Sequence, residues 1–194
     1  MKIICIDNTH PQAVPVFYLK PDTALLRNNQ PFFYPDFTTE LHANISLILK
    51  INRLGRSIAE NFAARYFDSI GLGITLMAND ILNMCHQCNL PWETAHCFDY
   101  SASISPDFVK VETIENIRSI SFALSANGTI KIESSVTGIP FTFEQIIGYI
   151  SKYITLKVGD YIFINAPSPS IPVKIGDKLC ASLDGKEMLK TAIK

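Results

Sequence analysis

The segment Leu41–Lys50, LHANISLILK, constrains the fold of this chain more than any other stretch. Its second half is a continuous apolar run, which is typical of a strand buried inside a sheet. Its first half places His42, Asn44 and Ser46 at alternate positions, and alternate side chains of a strand point to the same face. The segment therefore predicts a buried strand with one polar face that serves a binding site.

Short apolar runs that end at turn residues predict further strands. KIICI forms a first strand, and a second strand over PVFYLK ends at Pro21, because proline cannot donate to a β-ladder. Asn127-Gly128 is the strongest hairpin signal in the chain and predicts paired strands over Ile117–Leu124 and Ile130–Ser135. Tyr161–Asn165 is predicted to be another strand.

Helical spacing of apolar residues predicts three helices, over Arg56–Asp68, Asn79–Cys88 and Phe143–Tyr153. Many strands, three scattered helices and mostly short connections favour a β-rich α+β fold over a βαβ arrangement. The 194 residues, of which 47% are hydrophobic, are enough to bury a substantial core. We therefore expect a single β-rich α+β domain over residues 1–194.

The charge pattern excludes two classes of partner. The formal net charge is -1 and no run of like charges occurs, so neither nucleic acid nor an anionic membrane is an expected partner. The N-terminal MKIICID is too short for a signal-peptide core, and no segment reaches the roughly 18 apolar residues of a membrane span. Five cysteines, an odd number, indicate free thiols in a reducing compartment. We expect a cytoplasmic protein.

Several stretches together resemble one enzyme family over nearly the whole chain. They are FYLKPDTALL, GLGITLMANDI, LPWETAHCFDYSASIS, GYISKYITLKVGDYIFINAPS and VKIGD, in that order. The chain resembles the fumarylacetoacetate hydrolase family. The resemblance implies a mixed β-roll, usually a homodimer, that hydrolyses, decarboxylates or isomerises short oxo-acids such as acylpyruvates. It also implies a Mg²⁺ or Mn²⁺ ion that grips the oxo-carboxylate, since such hard cations require oxygen anions.

The family's metal ligands are replaced in this chain. Members usually carry H-x-E-x-E on the strand that matches LHANISLILK, and the two glutamate positions are Asn44 and Ser46 here. Relatives read more like G-x-G-x-D-x-T-A-R-D where this chain has GLGITLMAND, which places Thr75 at the aspartate position. Neutral oxygens do not offset the charge and dehydration cost of a dication. The resemblance therefore predicts a lost metal site and no cofactor.

Other functional positions of the family differ as well. The arginine position is Asn79, the lysine position is His96, and a glutamine position falls near Glu133. The family's G-T-P turn has become Asn165-Ala166-Pro167. A phosphate or carboxylate ligand, such as a small oxo-acid, would suit this pocket better than a metal ion, and Lys20 is the only obvious cation retained near it by the resemblance. The resemblance thus implies a vestigial pocket formed by Lys20, His42, Asn44, Ser46, Thr75, Asn79, His96, Glu133 and Ala166.

The segments LKPD, LPW, FD, VGD and IGD, which form turns and packing contacts of the fold, are retained. A retained scaffold without its chemistry is typical of a pseudoenzyme. The first hypothesis is therefore an impaired or inactive member that acts as a binding or interaction protein, as a homodimer or with an active relative. The second is a metal-independent hydrolase or isomerase of small oxo-acids that uses His96, Glu133, Thr75 and Lys20. Within it, Ser46 and His96 would be nucleophile and base if they lie within hydrogen-bond reach.

The stretch Cys85-His86-Gln87-Cys88, with His96-Cys97 downstream, leaves two interpretations open. Thiolates and imidazoles at this spacing suit a zinc ion. However, the second paired ligand motif of a structural zinc site is missing, and Met84, Cys85 and Cys88 also form one apolar helix face. A purely structural helix is the favoured interpretation.

Three further polar residues receive structural interpretations, and His10 is left without a role. His42 heads its strand either as a structural histidine or as a substrate contact, and the structural role is favoured. Asp80 and Asp99 are expected to hydrogen-bond a helix end or a turn. His10 lies in a shortened loop that lacks the family's R-N-Y motif, so we do not assign it as the family's histidine.

Overall fold

The structure, a computed structural model, describes residues 1–8, 13–111 and 117–194. His10 lies outside these residues. The described part forms two sheets and four α-helices. The larger sheet is mixed and contains β1 (Ile3–Asp7), β2 (Val16–Lys20), β3 (Leu25–Leu26), β4 (Leu41–Ile51), β5 (Phe67–Ala78), β6 (Ala102–Ile104), β7 (Val109–Lys110), β10 (Tyr161–Asn165) and β11 (Ile171–Val173). The smaller sheet contains β8 (Ser121–Ala126), β9 (Thr129–Ser135), β12 (Lys178–Leu183) and β13 (Lys186–Ala192).

The strand order places β4 and β5 in the middle of the larger sheet. The order is β2-β1-β10-β4-β5-β6-β3, with β11 pairing to β4 and β7 to β5. β4 pairs with β5 from Leu41 opposite Ala78 to Ile51 opposite Phe67, and β10 pairs along its other edge. The predicted buried strand over Leu41–Lys50 is therefore confirmed.

The two faces of β4 meet different surroundings. Its odd-numbered residues, among them Ile45, Leu47 and Leu49, belong to the main hydrophobic core, which also contains apolar residues of the smaller sheet and of the last helix. Ile48 points the other way, into a second apolar cluster with Ile3 and Phe163. The polar alternation predicted from the sequence therefore lies on the face opposite the main core.

The four helices are α1 (Glu60–Ala63), α2 (Asn79–Cys88), α3 (Glu93–His96) and α4 (Phe143–Tyr153), and short 3₁₀ turns cover Asp22–Ala24, Ala64–Tyr66 and Val136–Gly138. The predictions for α2 and α4 are confirmed to the residue. A capping box explains the start of α4, because Thr142 accepts from the Gln145 backbone N–H and Gln145 accepts from that of Thr142.

The predicted helix over Arg56–Asp68 is wrong at both ends. Only Glu60–Ala63 is α-helical, and the chain already enters β5 at Phe67. Phe67 pairs with Ile51 of β4, and its ring packs edge-on against Phe143 at a centroid distance of 5.9 Å. Pairing along β4 and this core contact outweigh the helical spacing of the local sequence.

The hairpin predicted at Asn127-Gly128 is confirmed. Both residues have positive φ, 53° and 80°, which matches the two-residue turn that suits the twist of a hairpin. The first strand, however, begins at Ser121 and not at Ile117. No helix among the described residues combines the length and apolar character that crossing a membrane requires.

Candidate functional site

Four polar side chains meet in the middle of the larger sheet. The register places Asn44 of β4 opposite Thr75 of β5, and Ser46 of β4 opposite Asn165 of β10. Each of these four residues is at most 7% exposed. We call Asn44, Ser46, Thr75 and Asn165 the polar cluster. The structure thus brings together the three positions that the sequence analysis assigned to lost metal ligands.

The side chains of the polar cluster are hydrogen-bonded to one another and to neighbouring backbone groups. Ser46 Oγ donates to Asn165 Oδ1 at 2.6 Å, and Thr75 Oγ1 donates to the same oxygen at 3.3 Å. Asn44 Oδ1 accepts from the backbone N–H of Ile45 at 2.7 Å, and Asn44 Nδ2 donates to the carbonyls of Ala166 and Ser168. Both amide oxygens therefore already have protein donors.

A cavity of about 600 Å³ opens over the polar cluster, and Asn44, Thr75 and Asn165 line it. We call it the central cavity. Its other polar lining includes Asp7, His42, Asn79, His86 and Ser170, and its apolar lining includes Val16, Leu82 and Pro169. The volume suits a small organic molecule.

One corner of the central cavity is aromatic. The ring centroids of Tyr18, Trp92 and His96 lie 4.9–5.2 Å from one another. Burial, together with the nearby Lys20 ammonium, lowers the pKa of His96 to about 4. The His96 imidazole is therefore neutral near physiological pH and presents an uncharged ring to the cavity.

Lys20 lies behind this corner and does not line the central cavity. It is 3% exposed, and its ammonium donates to Ser101 Oγ at 2.8 Å, to the carbonyl of Leu76 at 3.4 Å and to the carbonyl of His96. Burial lowers the pKa of Lys20 to about 8. The three N–H donors of an ammonium group are thus engaged by the protein, so Lys20 is a structural cation that cannot contact a ligand in this arrangement.

The rim of the central cavity is formed by His42 and Asn79, which share a partner. Glu40 Oε1 lies 3.1 Å from His42 Nε2 and accepts from Asn79 Nδ2 at 3.0 Å. The other ring nitrogen of His42 lies 3.1 Å from Ser170 Oγ. Both nitrogens of His42 are therefore hydrogen-bonded, in agreement with the structural role favoured from the sequence.

Besides Lys20 and Ser46, two more residues assigned to the vestigial pocket do not line the central cavity. Glu133 lines a second cavity between the strands of the smaller sheet and the segment Pro167–Ser168. Ala166 is completely buried and contributes its backbone, with its N–H donating to Ile45 and its carbonyl accepting from Asn44. The side chains of these two positions, which the resemblance assigned to the pocket, do not line the central cavity.

The Ser46 hydroxyl donates its hydrogen bond to Asn165 Oδ1, and among the described residues no hydrogen bond joins Ser46 to His96. The nucleophile–base pair considered from the sequence is therefore not formed. Within the same described ranges, no group of three or more His, Cys, Asp and Glu side chains is arranged to hold a metal ion. On α2, Cys85 is buried and Cys88 is exposed.

Asp7 and Asn165 are two residues of the central cavity that the sequence analysis did not assign to the pocket. Asp7 is the last residue of β1 and Asn165 the last of β10, and these strands are parallel, with Ile6 opposite Ile164. Their side chains therefore emerge at the same edge of the sheet. Polar residues directly after apolar strands, in KIICID and YIFIN, were the available signal.

The two acids assigned to structural roles are confirmed in them. Asp99 accepts from Thr23 Oγ1 at 2.6 Å, which ties two turns together. Asp80, in the first turn of α2, accepts from Thr38 Oγ1 at 2.5 Å and from the N–H and Oγ1 of Thr39 at 2.8 and 3.0 Å. Asp80 therefore anchors the segment that leads into β4 to the start of α2.

Asp80→Asn is expected to lower Tm near neutral pH, because the hydrogen bonds to the charged carboxylate contribute about 1–3 kcal/mol. Partial burial opposes ionisation, but the hydrogen bonds from Thr38, Thr39 and Ile81 outweigh it and lower the pKa of Asp80 to about 2. Because the pKa of Asp80 is lower in the folded state than its unfolded-state value of about 3.9, the ionised carboxylate stabilises the fold at pH values above 3.9. This contribution is lost as the pH falls toward 2. The Tm difference between the two proteins should therefore shrink over that window in thermal melts, whereas the exposed control Asp107→Asn should show little difference at any pH. A Tm difference for Asp80→Asn that is independent of pH would contradict this assignment.

Comparisons with known proteins agree with this architecture. The model of the fumarylacetoacetate (FAA) hydrolase C-terminal family matches residues 4–194. Oxaloacetate tautomerase FAHD1, mitochondrial, of Mus musculus is 31% identical over 180 residues, which cover 93% of this chain and 81% of the mouse protein. Oxaloacetate tautomerase YcgM of Escherichia coli is 25% identical over 197 residues, covering 96% of this chain and 90% of that protein.

The fold is also shared with solved structures. The crystal structure of a fumarylacetoacetate hydrolase family protein from Yersinia pestis CO92 superposes with a TM-score of 0.90 at 28% identity, over 100% of this chain and 92% of that one. The mixed β-roll that the sequence resemblance predicted is thereby confirmed.

Proposed function

The chain belongs to the fumarylacetoacetate hydrolase family, and from this membership we propose that it is a metal-free member that binds a small molecule without performing the family's metal-dependent oxo-acid chemistry. The observation that carries the proposal is the polar cluster. At the positions where the resemblance implies two glutamates and an aspartate, the chain has an amide and two hydroxyls that bond within the cluster or to adjacent backbone.

The donor set of the polar cluster does not fit a hard dication. Mg²⁺ and Mn²⁺ lose part of their hydration shell on binding, and anionic oxygens compensate this cost. Asn44, Ser46 and Thr75 carry no charge, and the oxygens of Asn44 and Asn165 already accept protein hydrogen bonds. Metal binding would break these hydrogen bonds, and no carboxylate of the polar cluster would offset the charge of the ion. The proposed function therefore includes no metal-dependent step.

The alternative of a metal-independent oxo-acid enzyme has less support. It requires His96, Glu133, Thr75 and Lys20 to act on one substrate, but Glu133 lines a different cavity and Lys20 lies behind the cavity wall. Ser46, the candidate nucleophile, donates its proton to Asn165. The arrangement offers no nucleophile with an adjacent base among the residues that this alternative names.

We extend the proposal to assembly and location. The protein would act as a homodimer or together with an active relative, which is the assembly that the family resemblance implies. It would work in the cytoplasm, and the five free cysteines support a reducing compartment. Size-exclusion chromatography with light scattering would distinguish a dimer from a monomer.

Calorimetric titration with Mg²⁺ and with Mn²⁺, each alone and with oxalate as an oxo-acid mimic, tests the proposal. We expect no heat of binding from the natural protein, because no carboxylate is available at the polar cluster. Assays of oxaloacetate tautomerisation and decarboxylation should give the same rates with and without the protein, whether or not metal is added. Micromolar metal binding, or catalysis that EDTA removes, would refute the metal-free assignment.

A further inference from the structure

The central cavity offers no permanently charged cation to a ligand carboxylate. No Lys or Arg side chain lines it within the described part of the chain, and the two undescribed segments, THPQ and ETIEN, contain neither residue type. Burial, together with the charge of Lys20 behind the wall, lowers the pKa of His96 to about 4, so its imidazole is neutral near physiological pH. The acidic residue of the lining, Asp7, already interacts with another group of the protein and is not assigned to the ligand. A carboxylate entering the cavity would therefore lose hydration without a fixed cation to compensate the loss.

Asn165 supplies a neutral hydrogen-bond donor to the cavity. This residue is only 7% exposed, and its Oδ1 accepts from the hydroxyls of Ser46 and Thr75. Its Nδ2 donates to no acceptor within the described ranges, although the residue lines the cavity. A buried donor without a partner is costly, so this amide N–H calls for an acceptor on a ligand.

Thr75 supplies an acceptor next to this donor. Its Oγ1 lies 3.3 Å from Asn165 Oδ1 and 3.5 Å from the carbonyl of Asn44, and its single hydrogen serves these two oxygens. A hydroxyl oxygen also accepts hydrogen bonds, and nothing in the described part of the chain donates one to Thr75 Oγ1. The floor of the cavity thus presents an N–H donor and a hydroxyl acceptor side by side.

The aromatic corner and Asn165 lie on the same face of the larger sheet. Tyr18 of this corner lies opposite Cys5 of β1, and Cys5 lies opposite Phe163 of β10. Asn165 follows Phe163 by two residues, and alternate side chains of a strand share a face. Two strand spacings and two residues correspond to about 12 Å between the Cα atoms of Tyr18 and Asn165. This separation suits one six-membered ring that carries a short polar substituent.

We propose that the central cavity binds an uncharged aromatic carboxamide. The ligand carbonyl accepts from Asn165 Nδ2, the ligand amide N–H donates to Thr75 Oγ1, and the ring packs against Trp92 in the aromatic corner. A primary amide has one acceptor and one donor side by side, which matches the floor of the cavity, whereas a carboxylate has two acceptors and an amidinium two donors. The proposal rests on the metal-free state proposed above, because a metal ion at the polar cluster would favour a carboxylate.

Three probes of the same planar shape differ in charge and in hydrogen-bonding groups: benzamide, benzoate and benzamidinium. Trp92 is the only tryptophan of the chain and lines the cavity, so its fluorescence reports binding. With EDTA present, we expect benzamide to bind about tenfold more tightly than either ion, because one unpaired buried polar group accounts for a factor of that size. Equal affinities, tighter binding of either ion, or no saturable change with benzamide would overturn the proposal.

Asn165→Asp tests the donor. The substitution keeps the shape of the side chain and the oxygen that accepts from Ser46 and Thr75, but it replaces Nδ2 by a second, charged acceptor. The variant should therefore bind benzamidinium more tightly than benzamide. Asn52→Asp makes the same change at an exposed position outside the cavity and should keep the tenfold preference for benzamide. If Asn165→Asp still prefers benzamide, the assignment of Asn165 is refuted.

A second variant keeps the proposal testable if Asn165→Asp does not fold. Leu82 of α2 lines the cavity and is only half-buried, so Leu82→Arg adds a cation to the wall without opening the core. It should bind benzoate more tightly than benzamide, because a guanidinium pairs with a carboxylate through two hydrogen bonds. An unchanged order of affinities would show that the probes bind elsewhere and would overturn the proposal.

These titrations are independent of the metal titration because they contain EDTA. If the natural chain binds benzoate best and still binds no metal, the carboxamide assignment is refuted and the metal-free state stands. If it binds Mg²⁺ or Mn²⁺ with micromolar affinity, the metal-free state is refuted whatever the order of the three probes.

Discussion

The triple variant Asn44→Glu, Ser46→Glu, Thr75→Asp is expected to bind Mg²⁺ or Mn²⁺ with micromolar affinity, whereas the natural chain is expected to bind neither. The register places Asn44 opposite Thr75, and Ser46 lies two residues further along β4, on the same face. Three carboxylates at these positions would converge on one point above β4 and β5. They would supply the anionic oxygens that a hard dication requires.

The same variant should be unstable without metal. Three carboxylates would replace residues that are at most 5% exposed, and buried like charges repel one another and lose hydration. Mg²⁺ at a hundredfold excess over its Kd would increase the free energy of unfolding of the variant by about 2.7 kcal/mol. This increase raises Tm by about 5–10 °C for a chain of this size. Differential scanning fluorimetry with and without metal would measure this shift.

A neutral triple variant, Asn44→Gln, Ser46→Gln, Thr75→Asn, is the matched control. It introduces side chains of the same size at the same buried positions but no charge. Its Tm should not respond to Mg²⁺ or Mn²⁺. If the acidic variant folds and yet shows neither calorimetric binding nor a metal-dependent Tm, the three positions do not form the frame of a metal site.

Gly73→Ala is expected to destabilise the protein by about 1–3 kcal/mol, the range for overpacking a closed core. A Cβ atom at Gly73 would lie 2.4 Å from Cε1 of Phe163 and 2.9 Å from Cδ1 of Ile48. Both neighbours are completely buried, so neither can move aside without disturbing the second apolar cluster. Thermal melts should show a Tm about 2–12 °C below that of the natural protein.

Gly138→Ala provides the comparison for this glycine. A Cβ atom there would meet only Ser135 Oγ at 3.5 Å and Ser134 Oγ at 3.8 Å, which are ordinary contacts. Its effect on Tm should be small, or slightly stabilising because alanine restricts the unfolded chain. Equal effects of the two substitutions would mean that the contact with Phe163 does not limit this position.

Local signals predicted those elements whose own sequence specifies them. The helix Phe143–Tyr153 has a capping box and an apolar face, and the turn Asn127-Gly128 adopts the positive φ angles that its residues favour. The strands Lys178–Leu183 and Lys186–Ala192 were not predicted, although Asp184-Gly185 between them carries the same signal, with φ of 45° and 77°. The helix predicted over Arg56–Asp68 failed because its last residues pair with β4.

The site was predictable to the extent that it lies on one strand. Alternation along β4 showed that Asn44 and Ser46 share a face, and the family resemblance added Thr75. Asp7 and Asn165 were not assigned to the pocket, because they join this site only through the parallel pairing of β1 with β10, in which Ile6 lies opposite Ile164. Conversely, Glu133 was assigned to the pocket by order along the chain and lies in another cavity.

The sequence by itself determined the family and the β-rich fold, and it has neutral residues at the three positions where the resemblance implies carboxylates, because each depends on residue type and local spacing. The tertiary structure alone decided how these residues are used. It showed that the side chains of the polar cluster are hydrogen-bonded to one another and to neighbouring backbone groups. It also showed that the Lys20 ammonium donates its hydrogen bonds to buried carbonyls and a hydroxyl. It also placed Asp7 in the lining of the central cavity, which contains Tyr18, Trp92 and His96 as well. Hydrogen-bond partners and cavity charge depend on which distant strands lie side by side, and strand pairing over such separations is not encoded in local periodicity.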